Sequence, residues 1–302
     1  MKKKKKKYLK KRYVTIAFVS IAAILAVFSA YFILERHNNV DVIQTETKTY
    51  ILEEDAMSRA KSQVTINRST SKPVTTVKLP VIMYHYVEPT RDPNDTTRIK
   101  LSVHPAEFER ELINLKANEY KTYFAKDIPG IVNNTLKTDP KRVVLTFDDG
   151  YEDFYTVVFP LLKKYQMKGT VYVIYHYIGR KDFLNEAEIK EMIESGLVEI
   201  GSHTLDHLYL KSVSPEVARE QITKSKQLFE ARFGIPIETF AYPFGALNDE
   251  VVKMAEEAGY TAAVTVSPGD MISSDGLYVI PRIRPGRFAG IDVGSFLDGY
   301  RN

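Results

Sequence analysis

The chain has 302 residues, 44% of them hydrophobic, enough for one sizeable globular domain with attachments. Its formal charge of +4 is concentrated at one end: residues 1–12 hold nine Lys/Arg and no acid, so the other 290 carry 33 basic and 38 acidic side chains, a net of about −5. A basic tag of this kind gives no sign of a nucleic-acid surface, and the absence of cysteine excludes disulfides, thiolate zinc sites and cysteine nucleophiles.

Tyr13 to Leu34 runs 22 residues without a charge. As a helix it would be roughly 33 Å long, matching a hydrocarbon core of about 30 Å. Lys/Arg before it and Glu35 after it predict a single-pass membrane anchor (13–34), with residues 1–12 in the cytoplasm and the rest of the chain outside. A cleaved signal peptide ending near Val27-Phe28-Ser29 is the alternative, and it exports the chain equally. Residues 35–78 are polar and predict an extracytoplasmic linker with a short helix around Glu53 to Lys61. The expected state is a monomer at the cell membrane.

From Leu79 onward strand-like and helix-like segments alternate. Pro80 to Tyr84 predicts a strand, and Pro105 opens a helix with Phe108, Leu112 and Leu115 on one face. A strand over Arg142 to Phe147 is followed by a helix over Tyr155 to Tyr165, despite Pro160. Thr170 to Tyr175 is a strand. Asn185 caps a helix carrying Ile189, Met192 and Ile193 that stops at Gly196, and Leu197 to Gly201 is a strand. Ser214-Pro215 opens a helix ending at Gly234. Glu238 to Tyr242 is a strand, Asn248 caps a helix ending before Gly259, and strands follow over Thr261 to Val266 and Leu277 to Ile283. Alternation over 79–302 predicts an α/β domain with a parallel barrel or open sheet, whose active site would lie past the strand C-termini.

Chemistry concentrates at such places. Asp148-Asp149 directly follows the strand ending in Thr146-Phe147, and neighbouring carboxylates on extended backbone point to opposite sides, so one can bind metal while the other faces an attacking water. His203 and His207, in Ser202-His203-Thr204-Leu205-Asp206-His207, have the four-residue spacing that lets two imidazoles on one helical face share an ion. With Asp149 they make a His₂Asp set that leaves positions open for water and substrate, as a catalytic metal requires. A solvated Asp-Asp-Gly turn and a pair of surface histidines are the bland alternatives. Phe240-Ala241-Tyr242-Pro243-Phe244-Gly245 could aim a backbone N–H at a developing oxyanion, with Tyr242 and Phe244 as apolar or stacking walls. Tyr242 and Tyr151 are the candidate substrate contacts. His85 is the candidate proton donor and His176 its competitor; His37 falls in the linker and His104 heads a helix.

Thr146-Phe147-Asp148-Asp149-Gly150 together with His203-Thr204-Leu205-Asp206-His207 resembles the polysaccharide deacetylases of carbohydrate esterase family 4, the NodB-homology domain, from about Leu79 to the C-terminus. The resemblance implies a distorted (β/α) barrel and metal-dependent removal of acetyl groups from N-acetylated glycans. It implies Asp148 as general base and the backbone N–H of Phe244 as oxyanion donor. Asp149, His203 and His207 become ligands of Zn²⁺, with Co²⁺, Ni²⁺ or Mn²⁺ as alternatives. Two departures stand out: Ala241 occupies the place of an arginine that usually orients the base, and no histidine follows His207. Together with Pro80-Val81-Ile82-Met83-Tyr84-His85-Tyr86-Val87, they resemble the branch that deacetylates poly-β-1,6-N-acetylglucosamine in biofilms, where the acid histidine comes from the N-terminal motif, here His85. Arg282 or Arg284 would then replace the missing arginine. Peptidoglycan or another envelope glycan is the alternative substrate. A non-catalytic glycan binder and an aspartyl phosphotransferase are the competing classes.

Overall fold

Short apolar strands that alternate strictly between two faces decide this architecture. The protein is seen in a computed structural model that describes residues 73–89, 91–285 and 293–299. The expected membrane helix, cleavage site and helix at Glu53 to Lys61 lie outside the described residues, among which no helix is long and apolar enough to cross a membrane.

The first elements are β1 (Thr76–Lys78), β2 (Val81–Tyr84), β3 (Tyr86–Val87), α1 (Thr96–Leu101), β4 (Ser102–Val103), α2 (Pro105–Ala117), β5 (Lys121–Tyr123) and α3 (Ile128–Val132). β6 (Arg142–Phe147) leads through a wide turn at Phe154–Val158 into α4 (Phe159–Tyr165). The chain is helical on both sides of Phe154–Val158, which is wound as a π-helix with Phe159 N–H on Phe154 O, and this widened stretch accommodates the missing N–H of Pro160. There follow β7 (Gly169–Val173), α5 (Glu186–Glu194), β8 (Val198–Ser202), α6 (Pro215–Phe233), β9 (Thr239–Ala241), α7 (Asp249–Glu257), β10 (Ala262–Pro268), β11 (Met271–Ser273), β12 (Ile280–Arg282) and α8 (Val293–Gly299). The caps form as the sequence predicts: Asn185, Ser214 and Asn248 each accept a backbone N–H of the following turn, and Gly234 closes α6 with φ +68°.

Eight strands pair in parallel in the order β12-β10-β9-β8-β7-β6-β2, with β5 added alongside β6. The two ends of this sheet meet: Ile283 N donates to Val81 O at 2.8 Å and Met83 N to Ile283 O at 2.9 Å, which curls the sheet into a nearly closed barrel. Two features escaped the sequence pattern. Thr76–Lys78, at the end of the expected linker, pairs antiparallel with Met271–Ser273, a partner almost two hundred residues away. The last strand is only three residues long, because Leu277 to Val279 belong to a turn.

Alternation sorts the side chains. In β6, Val143, Leu145 and Phe147 join the large core packed beneath the helices, whereas Val144 belongs to a second cluster with Val81, Tyr172, Ala241, Val264 and Ile280. That second, inward face continues as Val144-Thr146-Asp148 on β6 and Val81-Met83-His85 on β2. On β8 it runs Glu199-Gly201-His203, and on β12 Ile280-Arg282. At Gly201 an added Cβ would sit 2.5 Å from the Tyr172 ring, so only glycine lets that ring cross the strand just before His203.

The interior also buries Glu199, whose carboxylate accepts from Thr170 Oγ1 and Thr239 Oγ1 at 2.8 Å each and from Lys126 N at 3.1 Å. Burial outweighs these three donors and raises its pKa to about 7. The folded state therefore holds a proton that the unfolded chain, with an ordinary glutamate near about 4.3, releases, and this contribution is lost as pH rises through about 7. Glu199→Gln is expected to raise stability by on the order of 1–3 kcal/mol at about pH 8, with the gain fading toward about pH 5 in paired melting curves. Parallel pH–stability curves for the two chains would remove Glu199 from this role.

Candidate active site

The inward registers of four strands, β2, β6, β8 and β12, end at one mouth of the barrel. β6 delivers Asp148 and, after a turn of direction, Asp149 with φ +78° followed by Gly150 with φ +75°. β8 delivers His203. His207 reaches the same place through a loop in which Thr204 and His207 themselves have φ +68° and +60°. The two histidines thus do not share a helical face as their spacing suggests; residues 203–209 are not helical. Convergence comes instead from a braced loop. His207 N donates to Thr204 Oγ1 at 3.0 Å, Tyr175 N and His176 N donate to the carbonyls of Thr204 and Leu205, and Gln221 holds both the backbone and the carboxylate of Asp206.

Asp149 Oδ1 lies 3.3 Å from His203 Nε2 and 3.2 Å from His207 Nε2. The three candidate ligand atoms fall within 4.8 Å of one another. His203 Nδ1 is 2.7 Å from the Ala241 carbonyl, which fixes the proton there and leaves the Nε2 lone pair facing a carboxylate oxygen. That oxygen is buried and has no hydrogen-bond partner among the described residues. Electron-rich atoms converging in this way fit a divalent cation between them. Without one, burial opposes charge on both groups, but their mutual attraction wins: the Asp149 carboxyl is held well below its ordinary range and the His203 imidazole is raised.

Asp148 faces a different partner. Arg282, 1% exposed, forks onto it with Nη1–Oδ1 2.8 Å and Nη2–Oδ2 2.7 Å. The guanidinium is itself fixed by Thr265 O at 2.7 Å and Thr146 Oγ1 at 3.1 Å. Burial alone would raise the Asp148 carboxyl, yet the charge and hydrogen bonds of Arg282 keep it below the ordinary value and ionised. Of the two arginines left open by the sequence, Arg282 is therefore the one on the carboxylate, while Arg284 is exposed. His85 Nε2 stands 3.9 Å from Asp148 Oδ2. Burial lowers its pKa against the pull of Asp148, making its protonated form a readier donor. His176, the competitor, is turned away and pairs with Asp206 at 2.8 Å.

One substrate assignment is corrected. Tyr242 is completely buried: it shares the outward register of β9 with Phe240, stacks edge-on against it and donates its hydroxyl to Tyr278 O, so it offers no face to a ligand. The exposed aromatics here are Phe244, 59% accessible with φ +59° and lying over His207 at 4.5 Å between ring centroids, and Tyr209, 42% accessible and 5.9 Å from it. Tyr209 went unnoticed in the sequence, although its place two residues after His207 was the available signal. Tyr151 is half-buried, stacks on Tyr86 at 4.0 Å, and has its pKa raised by burial and by the charge of Asp149, so its hydroxyl stays protonated beside the site.

Arg282→Lys replaces a planar fork with one ammonium, and turnover is expected to fall at least roughly tenfold, with metal affinity nearly unchanged in a calorimetric titration. Arg282→Met leaves Asp148 buried without a counter-charge and should cost about 3–5 kcal/mol in denaturant unfolding. Wild-type turnover in Arg282→Lys would show that the fork is structural only.

Comparison with known proteins agrees with this geometry. Residues 135–263 match the family described as Polysaccharide deacetylase. The chain is 36% identical to YxkH of Bacillus subtilis (strain 168), assigned as a polysaccharide deacetylase, over 77% of this chain and 79% of that one. It is 29% identical to a Staphylococcus aureus poly-β-1,6-N-acetyl-D-glucosamine N-deacetylase over 60% of this chain and 67% of the relative. Among solved structures it is similar to the Streptococcus pyogenes deacetylase PplD in complex with acetate, with a TM-score of 0.65 and 31% identity, covering 70% of this chain and 93% of that one. The fold is also that of IcaB from Ammonifex degensii, with a TM-score of 0.65 and 23% identity over 74% of this chain and 97% of that one. The family match, the 36% identity to YxkH over more than three quarters of both chains and the likeness to PplD make the chain a member of the polysaccharide deacetylase family, the NodB-homology domains of carbohydrate esterase family 4.

Proposed function

We propose that the protein is a Zn²⁺-dependent hydrolase that removes N-acetyl groups from an extracytoplasmic polysaccharide containing N-acetylglucosamine, with poly-β-1,6-N-acetylglucosamine as the first candidate. The observation that carries this is the arrangement around Asp148: Arg282 from the last strand on both of its oxygens and His85 from the first inward strand at 3.9 Å, beside the Asp149-His203-His207 cluster. The histidine comes from the N-terminal motif that the resemblance to the biofilm branch implies, Arg282 takes the place of the missing arginine, and the S. aureus relative is named for that activity.

Asp149, His203 and His207 would hold the ion, which supplies polarisation of the acetamide carbonyl and a lowered pKa for a water. Asp148, ionised and locked by Arg282, takes the proton of the attacking water. The Phe244 backbone N–H donates to the acetamide carbonyl oxygen as it becomes an oxyanion. His85 gives a proton to the departing glucosamine nitrogen, and acetate leaves. The uncharged segment 13–34 would tether the domain to the cell membrane.

Asp148→Asn should keep its metal and lose at least roughly a hundredfold in acetate release; near-normal turnover would take Asp148 out of the base role. Chelation followed by Zn²⁺ addition should abolish and then restore activity. As pH rises through the lowered pKa of His85, kcat should fall, and His85→Asn should flatten that alkaline limb as well as slow the reaction. Acetate release from purified poly-β-1,6-N-acetylglucosamine against purified peptidoglycan tests the polymer, and faster release from peptidoglycan would reverse the order of candidates.

A further inference from the structure

Beside His85 a cavity of about 360 Å³ opens, walled by apolar side chains from Met83, Leu101 and Pro285 and by two cations, Lys100 and Arg284. Among the described residues no acidic side chain lines it. Both cations are exposed, and among the described residues neither makes an ion pair. Glu88, buried, supplies no compensation: it is held by Arg98, whose Nη2 is 2.9 Å from Oε2, and by Arg91 at 2.6 Å, so its charge is already matched. The mechanism uses neither Lys100 nor Arg284. One wall of the cavity is the proton donor itself, so whatever fills it adjoins the sugar being deacetylated.

We propose that this cavity is a subsite for an acidic substituent, a carboxylate or phosphodiester, carried by the glycan next to the reacting N-acetylglucosamine. The inference rests on the deacetylase reading and adds a charge requirement to it, independent of how the backbone sugars are linked. Apolar walls take the carbon skeleton of the substituent, and the two side chains at the rim neutralise its charge. The same field works against the product. Each acetamide hydrolysed leaves an amine that is cationic at neutral pH, and a cationic residue next to Lys100 and Arg284 is repelled. The enzyme would thus favour acidic, still acetylated stretches and leave isolated deacetylated residues instead of long runs.

The test measures acetate release by the full chain from four glycans of matched length: a neutral N-acetylglucosamine oligomer, an N-acetylglucosamine glycan with carboxylate-bearing neighbours, the same glycan with its carboxylates amidated, and one with phosphodiester substituents. Expected is a kcat/KM about tenfold higher on an acidic glycan than on the neutral or amidated one, shrinking with added salt and lost in Lys100→Gln/Arg284→Gln. The same double variant should leave turnover of the neutral oligomer unchanged. Preference for the carboxylate or for the phosphodiester glycan identifies the source of the charge. Equal rates on the acidic and amidated glycans, or a preference that survives the double variant, overturn the inference while the deacetylase reading stands. Failure to release acetate from any of the four removes that reading and the subsite together.

Discussion

A guanidinium buried inside the barrel, forked onto a buried carboxylate, is the interaction on which the rest depends. Arg282 comes from the last strand and Asp148 from the end of β6, and between them lies the seam where Ile283 pairs with Val81 and Met83. Two desolvated charges are tolerated only when hydrogen bonds replace much of their lost hydration, and here Thr265 O and Thr146 Oγ1 take two more of the arginine's N–H groups. The pair therefore joins structure to chemistry. It helps bring the ends of the sheet together, and it holds the Asp148 carboxylate ionised in one orientation with an edge turned toward His85.

The price of such a site appears in the backbone. Asp149, Thr204, His207 and Phe244 all adopt positive φ without being glycine, at about 1–2 kcal/mol each. These four sit around one cluster, and the loop that carries two of them is tied down by Gln221, by Thr204 and by the backbone of Tyr175 and His176. Left-handed turns let the chain double back at a strand end, so side chains that a straight strand or a helix would send apart meet at one point. The fit of an ion to the Asp149-His203-His207 triangle gives the strain a use, since that triangle otherwise holds an unpartnered buried oxygen.

Much of this was legible along the chain because period-two alternation is local. Asp148 continues Val144 and Thr146, His85 continues Val81 and Met83, and Arg282 continues Ile280, so each points where its strand's inward face points. The same rule, applied to β9, puts Tyr242 with Phe240 under the helices, and overlooking it made Tyr242 a false sugar platform. The histidine pair was found by its spacing but given the wrong local geometry, because i, i+4 describes a helix and says nothing about a loop with two left-handed residues.

The sequence by itself determined the candidate site residues, the helix caps and the strand–helix alternation, because motif identity, capping and side-chain periodicity act over a few neighbouring residues. Only the tertiary structure decided that Arg282 rather than Arg284 grips Asp148, that β1 pairs with β11, and that Lys100 and Arg284 flank one cavity beside His85. Those outcomes depend on barrel closure, which brings together segments up to two hundred residues apart through backbone pairing that no local pattern encodes.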